Sequence, residues 1–175
     1  MRLGLLTAPF PETPLDEVVD WTAGNGFESI EIACWPRTTG PSRRYAGTSH
    51  IDVANQGAGE ASELAARIRS RGLHISGLGY YPNPLHPDPM HREQVIGHLR
   101  HVITAAEAMD VPFVNTFMGG DAALTTDANW ERALEIWPDI VRFAQDHGRR
   151  ITIENCPMIF SKDEWPGGHN IAWSP

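Results

Sequence analysis

Short apolar runs alternate with longer segments of helical periodicity along the whole chain. The apolar runs predict five buried strands, over residues 2–8, 27–33, 73–81, 112–117 and 150–154. Between the strands, apolar residues recur every three or four positions, which predicts four helices, over residues 13–26, 59–72, 90–110 and 130–148. This order is typical of repeated βα units built around a parallel sheet.

Residues at the helix ends refine these boundaries. Thr13 has the character of an N-cap, with Asp16 at the capping-box position, and Gly24 and Gly26 predict the end of the first helix. Pro138 lies inside the fourth helical pattern, and a proline there is expected to kink or divide the helix.

Two α/β architectures contain such units, an open doubly wound sheet and a (β/α)8 TIM barrel. The loop after the first strand reads "TAPFPETP" and lacks the glycine-rich dinucleotide fingerprint, which favours the barrel. A complete barrel needs about 250 residues. We therefore expect residues 1–175 to form one domain, the N-terminal part of a TIM barrel, present as an incomplete barrel of about five βα units.

Composition narrows the choice of partners. The net charge is −8 and the 14 basic residues form no basic block, which argues against a nucleic-acid partner. No apolar run approaches the roughly 20 residues of a membrane span, and the first residues lack a signal-peptide cleavage pattern. Cys34 and Cys156 are too few for a disulfide framework. We expect a cytoplasmic protein with reduced thiols that binds neither membranes nor nucleic acid.

Polar residues interrupt three of the predicted strands near their C-terminal ends. Side chains alternate along a strand, so Glu31, Asn115 and Glu154 lie opposite the isoleucine and valine positions of their strands. If the apolar face meets the helices, these three side chains face the barrel lumen, where TIM-barrel active sites lie. A carboxylate in such a place needs a cation or a hydrogen-bond donor. For Glu154, a loop-capping role or an ion pair with an arginine is the structural alternative.

The same stretches carry a family resemblance. The fragments "IEIACWP", "GLGYYPNPLHPD" and "VNTFMGG", and above all "IENCPMIFSKDEWPGGHNIAWSP", resemble the sugar isomerase/epimerase family with a xylose-isomerase-like TIM barrel. That superfamily also includes ketose 3-epimerases, inosose dehydratases and endonuclease IV. The resemblance implies that Glu154 is a divalent-metal ligand and takes part in proton transfer. It also implies an Asp, a His and a second Glu as further ligands from strands six to eight, to which no residue here corresponds.

The resemblance implies a divalent metal, Mn-, Mg- or Co-like or else Zn, that this chain alone is not expected to retain. Around it we expect a sugar or polyol site. Trp35, Tyr80 and Trp165 follow strand ends and can wall a sugar pocket, whereas core packing is their structural alternative. The remaining candidates are polar residues near strand ends, namely Glu31, Asn83, His86, Asn115 and Asn155, the last as a partner that orients Glu154.

The sequence thus predicts a metal-dependent sugar or polyol isomerase or epimerase that acts by proton transfer next to a carbonyl. We expect this chain to be a fragment without the distal ligands. A truncated, non-catalytic binding or scaffold protein is the main alternative, and an endonuclease IV-like phosphodiesterase is a further one. Five strands of an open barrel leave apolar edges, so association with a partner, including a homo-oligomer, is expected.

Overall fold

The structure is a computed structural model that describes residues 1–37, 47–156 and 170–172. Five strands alternate with four helices in this range. In chain order the elements are β1 (Gly4–Leu6), α1 (Leu15–Gly24), β2 (Ser29–Ala33), α2 (Ala58–Ser70), β3 (His74–Gly79), α3 (Pro89–Ala108), β4 (Phe113–Thr116), α4 (Thr126–Asp146) and β5 (Arg150–Ile153).

The five strands form one parallel sheet in the order β1-β2-β3-β4-β5, so each strand pairs with the next one along the chain. A doubly wound sheet has a switch point at which the strand order reverses. No such reversal occurs among the described strands. The sequential order is that of consecutive units in a TIM barrel, as the sequence predicted.

One face of the sheet packs against the helices. Ile32, Leu78 and Val114 lie side by side on β2, β3 and β4, and all three are fully buried. The helices contribute their own apolar stripes to this core. In α3 these are the positions predicted from the sequence, Val95, Leu99, Val102, Ile103 and Ala106.

A register shift between β2 and β3 determines what lies on the opposite face. Ile30 pairs with Ile75, but Glu31 pairs with Gly77, so Ser76 is an extra residue on β3. The Ser76 hydroxyl donates to the carbonyl of Ile30 at 3.1 Å. This bulge leaves Gly77 and Gly79 beside the positions of β2 and β4 that carry Glu31 and Asn115.

The predicted start of the first helix was wrong. The N-cap of α1 is Pro14, without a side-chain cap, so Thr13 does not cap the helix and Asp16 completes no capping box. The backbone explains the difference. The amides of Glu17 and Val18 both donate to the carbonyl of Pro14, which makes Pro14 the first helical acceptor.

Helix α4 differs from its prediction at its start. It begins at Thr126, four residues before the predicted start, because the Thr125 side chain accepts a hydrogen bond from the amide of Ala128 at 3.3 Å. Pro138 was predicted to kink or divide the helix, and the helix continues through it, so division is wrong. The carbonyl that a residue at 138 would normally bond belongs to Leu134, which is 73% exposed, so water can replace the lost donor.

None of the helices in the described ranges combines the length and apolar character that spanning a membrane requires. Both cysteines are free, and Cys34 is buried.

Candidate active site

A strip of small and polar residues crosses the sheet on the face away from the helices. Ala33, Gly79, Asn115 and Thr152 pair in register from β2 to β5. The Thr152 hydroxyl donates to Oδ1 of Asn115. Because the strip lies near the C-terminal ends of the strands, it corresponds to the part of a TIM barrel where active sites are built.

Two glycines of β3 make room for side chains from the neighbouring strands. A Cβ atom on Gly79 would lie 2.5 Å from Oε1 of Glu31, and one on Gly77 would lie 2.6 Å from Nδ2 of Asn115. The Glu31 carboxylate and the Asn115 amide therefore lie directly over the bare backbone of β3. A side chain at either glycine would displace one of these polar groups.

Tyr81 belongs to the same cluster, although it is not among the site residues predicted from the sequence. Its hydroxyl donates to Oε1 of Glu31, and Asn115 is a hydrogen-bond partner of both groups. Its ring lies between Trp35, at 5.7 Å between ring centroids, and Phe117, at 5.0 Å. The alternation of side chains along β3 could have identified Tyr81, since position 81 falls on the same face as Gly77 and Gly79.

Burial dominates the electrostatics of this cluster. It raises the pKa of the Glu31 carboxyl, and the hydrogen bonds from Tyr81 and Asn115 oppose that rise only in part. Burial, together with the charge of Glu31 and the hydrogen bond to it, also raises the pKa of the Tyr81 hydroxyl. At neutral pH the tyrosine is therefore a hydrogen-bond donor.

Glu154 follows β5 directly. Its amide donates to the carbonyl of Thr116 at 2.9 Å, so the ladder between β4 and β5 continues through it. The residue as a whole is exposed, but the carboxyl is partly enclosed, and this enclosure followed by the charge of Glu31 raises its pKa. Within the described residues, no arginine, lysine or histidine forms an ion pair with Glu154.

These residues fit a divalent cation only as part of a larger donor set. A carboxylate oxygen suits hard ions such as Mg²⁺ and Mn²⁺, and the absence of a described cationic partner leaves Glu154 able to bind one. However, the described part of the chain contains no group of three or more His, Cys, Asp or Glu side chains that could hold a metal ion. A metal ion held by Glu154 would therefore need further ligands beyond the described residues.

The predicted aromatic residues lie at the edge of this cluster. Trp35 and Tyr80 are buried, and their ring centroids are 5.9 Å apart. Tyr80 also contacts His98, whose Nε2 bonds the carbonyl of Cys34 at 2.7 Å. Substrate contact by Trp35 and Tyr80 stays a prediction. Trp165 lies outside the described residues.

The three predicted polar loop residues differ in burial and in hydrogen-bond partners. Asn83 is buried, and its side chain bonds the backbone of Leu85 and Gly120, which joins the loops after β3 and β4. His86 is half-buried, and its Nδ1 accepts from the amide of Asp88 at 3.1 Å. Asn155 is exposed beside Glu154. Their contacts with substrate stay predictions.

Comparison with known proteins agrees with the fold. The family described as "Xylose isomerase-like TIM barrel" matches residues 19–168, and the chain belongs to this family. No curated protein sequence matches the chain.

Three solved structures resemble the fold. One is a probable 3-DHS dehydratase, AsbF, from Bacillus anthracis, at 16% identity and a TM-score of 0.65, covering 89% of this chain and 52% of that one. The second is a D-psicose 3-epimerase with D-tagatose from Clostridium cellulolyticum H10, at 19% identity and a TM-score of 0.65, covering 94% and 54%. The third is the IolI protein with a bound zinc atom, at 12% identity and a TM-score of 0.63, covering 87% and 51%.

At sequence identities of 12–19%, these similarities show a shared fold and nothing more specific. The chain spans about half the length of these solved chains.

Proposed function

We propose that this chain supplies the N-terminal half of the active site of a divalent-metal-dependent sugar or polyol isomerase or epimerase. The observation that carries the proposal is Glu154, a carboxylate at the C-terminal end of β5 with no ion-pair partner among the described residues. Family membership supports the same conclusion, as do the epimerase and the zinc-bound protein among the structural relatives.

Proton transfer next to a carbonyl needs a base near the carbon and positive charge near the oxygen. A bound divalent ion would supply that charge to the developing enediolate oxygen. Glu154 would help to hold the ion, and its carboxylate would receive the proton from the neighbouring carbon. A carboxylate can accept a proton from one carbon and return it to the same or a neighbouring carbon.

Glu31, Tyr81 and Asn115 would bind substrate hydroxyls in this proposal. The Glu31 carboxylate can accept a hydrogen bond, whereas the Asn115 amide can both donate and accept. Asn115 lies on the same strip of the sheet as Thr152, two residues before Glu154, and the Glu31 carboxylate lies next to this strip, over Gly79. Such an arrangement suits a ligand with several adjacent hydroxyl groups. The proposal also includes a cytoplasmic location, no nucleic-acid or membrane partner, and self-association.

The test is metal retention and turnover in the natural full-length protein. Glu154→Gln keeps the size of the side chain but removes its charge. We expect metal content, measured by inorganic mass spectrometry after dialysis, to fall by about tenfold or more. Isomerisation, epimerisation or dehydration of a panel of ketoses and inososes should fall with it. Unchanged metal content in the variant, or no turnover of the panel by the wild-type protein, would count against the proposal.

A further inference from the structure

Asn170 joins three backbone segments at the C-terminal side of the sheet. Asn170 is buried, with only 2% of its surface exposed. Nδ2 donates to the carbonyls of Glu154 at 3.2 Å, Cys156 at 3.3 Å and Ala172 at 3.2 Å, and Oδ1 accepts from the amide of Gly119 at 3.2 Å. The amide of Ile171 also donates to the carbonyl of Gly119, at 2.9 Å. One buried amide thus connects the end of β5 to the loop after β4.

This contact acts at the point where Glu154 leaves the sheet. The amide of Glu154 makes the last rung of the ladder, to Thr116, and the carbonyl of Glu154 bonds Asn170 instead of a strand. The peptide groups on both sides of the Glu154 Cα atom are therefore held. Because the direction of the Cα–Cβ bond depends on these two peptides, Asn170 and the strand bond to Thr116 together fix where the Glu154 side chain begins.

We propose that Asn170 is a positioning residue for Glu154, one that fixes the backbone from which this carboxylate reaches a divalent cation. The inference rests on the proposed function, and it adds a residue that neither the sequence pattern nor the family resemblance had assigned. Asn170 touches neither cation nor substrate and acts only through Glu154.

An asparagine amide suits this position for a chemical reason. Three carbonyl oxygens converge on Nδ2, and the two hydrogens of the amide nitrogen serve them, with one hydrogen shared between two carbonyls. An aspartate would keep the acceptor for the amide of Gly119 but would place negative oxygens against the three carbonyls. Asn170→Asp should therefore release the end of β5 selectively, and Asn170→Ala should release it without adding charge.

Asn129 provides a matched control. It is 1% exposed, and like Asn170 its side chain forms hydrogen bonds with loop backbone. Its Oδ1 accepts from the amide of Asp121 at 2.7 Å, and its Nδ2 donates to the carbonyls of Asp121 at 2.9 Å and Thr125 at 3.1 Å. These bonds connect the loop after β4 to the start of α4 and do not involve Glu154. Asn129→Asp and Asn129→Ala should lower stability through the same kind of lost contact.

The experiment uses the natural full-length protein and two readouts. Mn²⁺ affinity is measured by electron paramagnetic resonance of the free ion, and amide hydrogen exchange is followed over residues 151–156. We expect Asn170→Asp to raise the Kd for Mn²⁺ about tenfold, a change typical of residues that support a metal ligand, and to speed exchange over that segment. The Asn129 variants should match the loss in Tm but leave both readouts unchanged.

Either readout can overturn the inference. An unchanged Mn²⁺ Kd in both Asn170 variants would show that Glu154 does not depend on this contact. Unchanged exchange over residues 151–156 would do the same without reference to any metal. If the wild-type protein binds none of Mn²⁺, Mg²⁺, Co²⁺ and Zn²⁺, the proposed function fails, while the exchange data still decide whether Asn170 fixes this segment. Should Asn170→Asp not fold, Asn170→Ala and Asn129→Ala provide the same comparison.

Discussion

Among single residues, Gly79 has the most specific steric role in the candidate site. An added methyl group would lie 2.5 Å from Oε1 of Glu31 and 3.0 Å from Cε2 of Tyr81. We predict that Gly79→Ala destabilises the fold by about 1–3 kcal/mol, because the Glu31–Tyr81 pair must move within packed surroundings. Urea unfolding with linear extrapolation measures the change.

Gly97 is the control for this substitution. It lies inside α3, and an added Cβ would meet nothing within 4 Å. Gly97→Ala should stabilise the protein by about 0.5–1 kcal/mol, since alanine loses less backbone entropy in a helix. Equal effects of the two substitutions, of either sign, would show that the space over Gly79 is not needed by Glu31.

The raised pKa of Glu31 leads to a prediction about how the stability of the fold depends on pH. The folded protein holds this proton more tightly than the unfolded chain, so folding is favoured at low pH and loses stability as pH rises through the folded pKa. Glu31→Gln removes that loss and can still accept the hydrogen bond from Tyr81. We therefore predict that the variant gains Tm over wild type at neutral pH.

The gain in Tm should disappear below the ordinary glutamate pKa of 4.5, where Glu31 is protonated in both states. Thermal unfolding of the two proteins across this pH range provides the measurement. A Tm difference that stays constant with pH would contradict a raised pKa at Glu31.

Sequence alternation was enough to group some of the site residues but not others. Glu31 and Asn115 interrupt apolar alternation, and the structure brings both against β3. Tyr81 continues the alternation of Gly77 and Gly79, but it was missed because its partner Glu31 is far from it in sequence and near it only after folding. Asn170 was missed because its role depends on Gly119, which is far from it in sequence and near it only after folding.

At the scale of elements, the start of α4 depends on one side chain. The hydroxyl of Thr125 accepts a hydrogen bond from the amide of Ala128. We predict that Thr125→Ala costs about 1 kcal/mol of unfolding free energy, because an amide of the first turn loses its acceptor. Thr126→Ala is the control, since Thr126 is the first residue of the helix and is exposed. Equal losses from both substitutions in chemical denaturation would argue against a cap at Thr125.

Helix interiors were predicted more successfully than helix ends. The buried positions of α3 follow from apolar periodicity alone, which many residues determine together. An end depends on one or two local bonds, and several residues often compete to make them. Thr13 was predicted as an N-cap and Thr125 was not, but only Thr125 accepts a capping bond, because at α1 the carbonyl of Pro14 is the first acceptor.

For the whole molecule, the alternation of strands and helices predicted a parallel sheet but not its strand order. The missing dinucleotide fingerprint favoured the barrel over the doubly wound sheet, and the order β1-β2-β3-β4-β5 confirms that choice. The register shift in β3 could not be read from the sequence, since Ser76 fits a strand as well as its neighbours do. Yet that shift is what brings Gly77 beside Glu31.

The exposed surface of α4 leads to a prediction about association. One flank of α4 meets α3, where Arg100 lies over the ring of Phe143 at 5.6 Å. Trp130, Leu134 and Val141 are spaced by four and seven residues and are exposed by 42%, 73% and 39%. Large apolar side chains grouped in this way favour association. We predict that the 175-residue chain self-associates in a concentration-dependent manner, measured by sedimentation velocity.

Leu134→Lys should weaken this association because it places a charge within the exposed apolar group. Gln145→Lys adds the same charge to an exposed position of the same helix and should leave association unchanged. Neither substitution should lower Tm, since both side chains are exposed. A protein that stays monomeric at all concentrations would show that this exposed apolar surface does not drive association. If neither lysine weakens association, the contact would instead involve the edges of the sheet. In the described five-stranded sheet, β1 and β5 are the edge strands, and their outer backbone groups pair with no other strand.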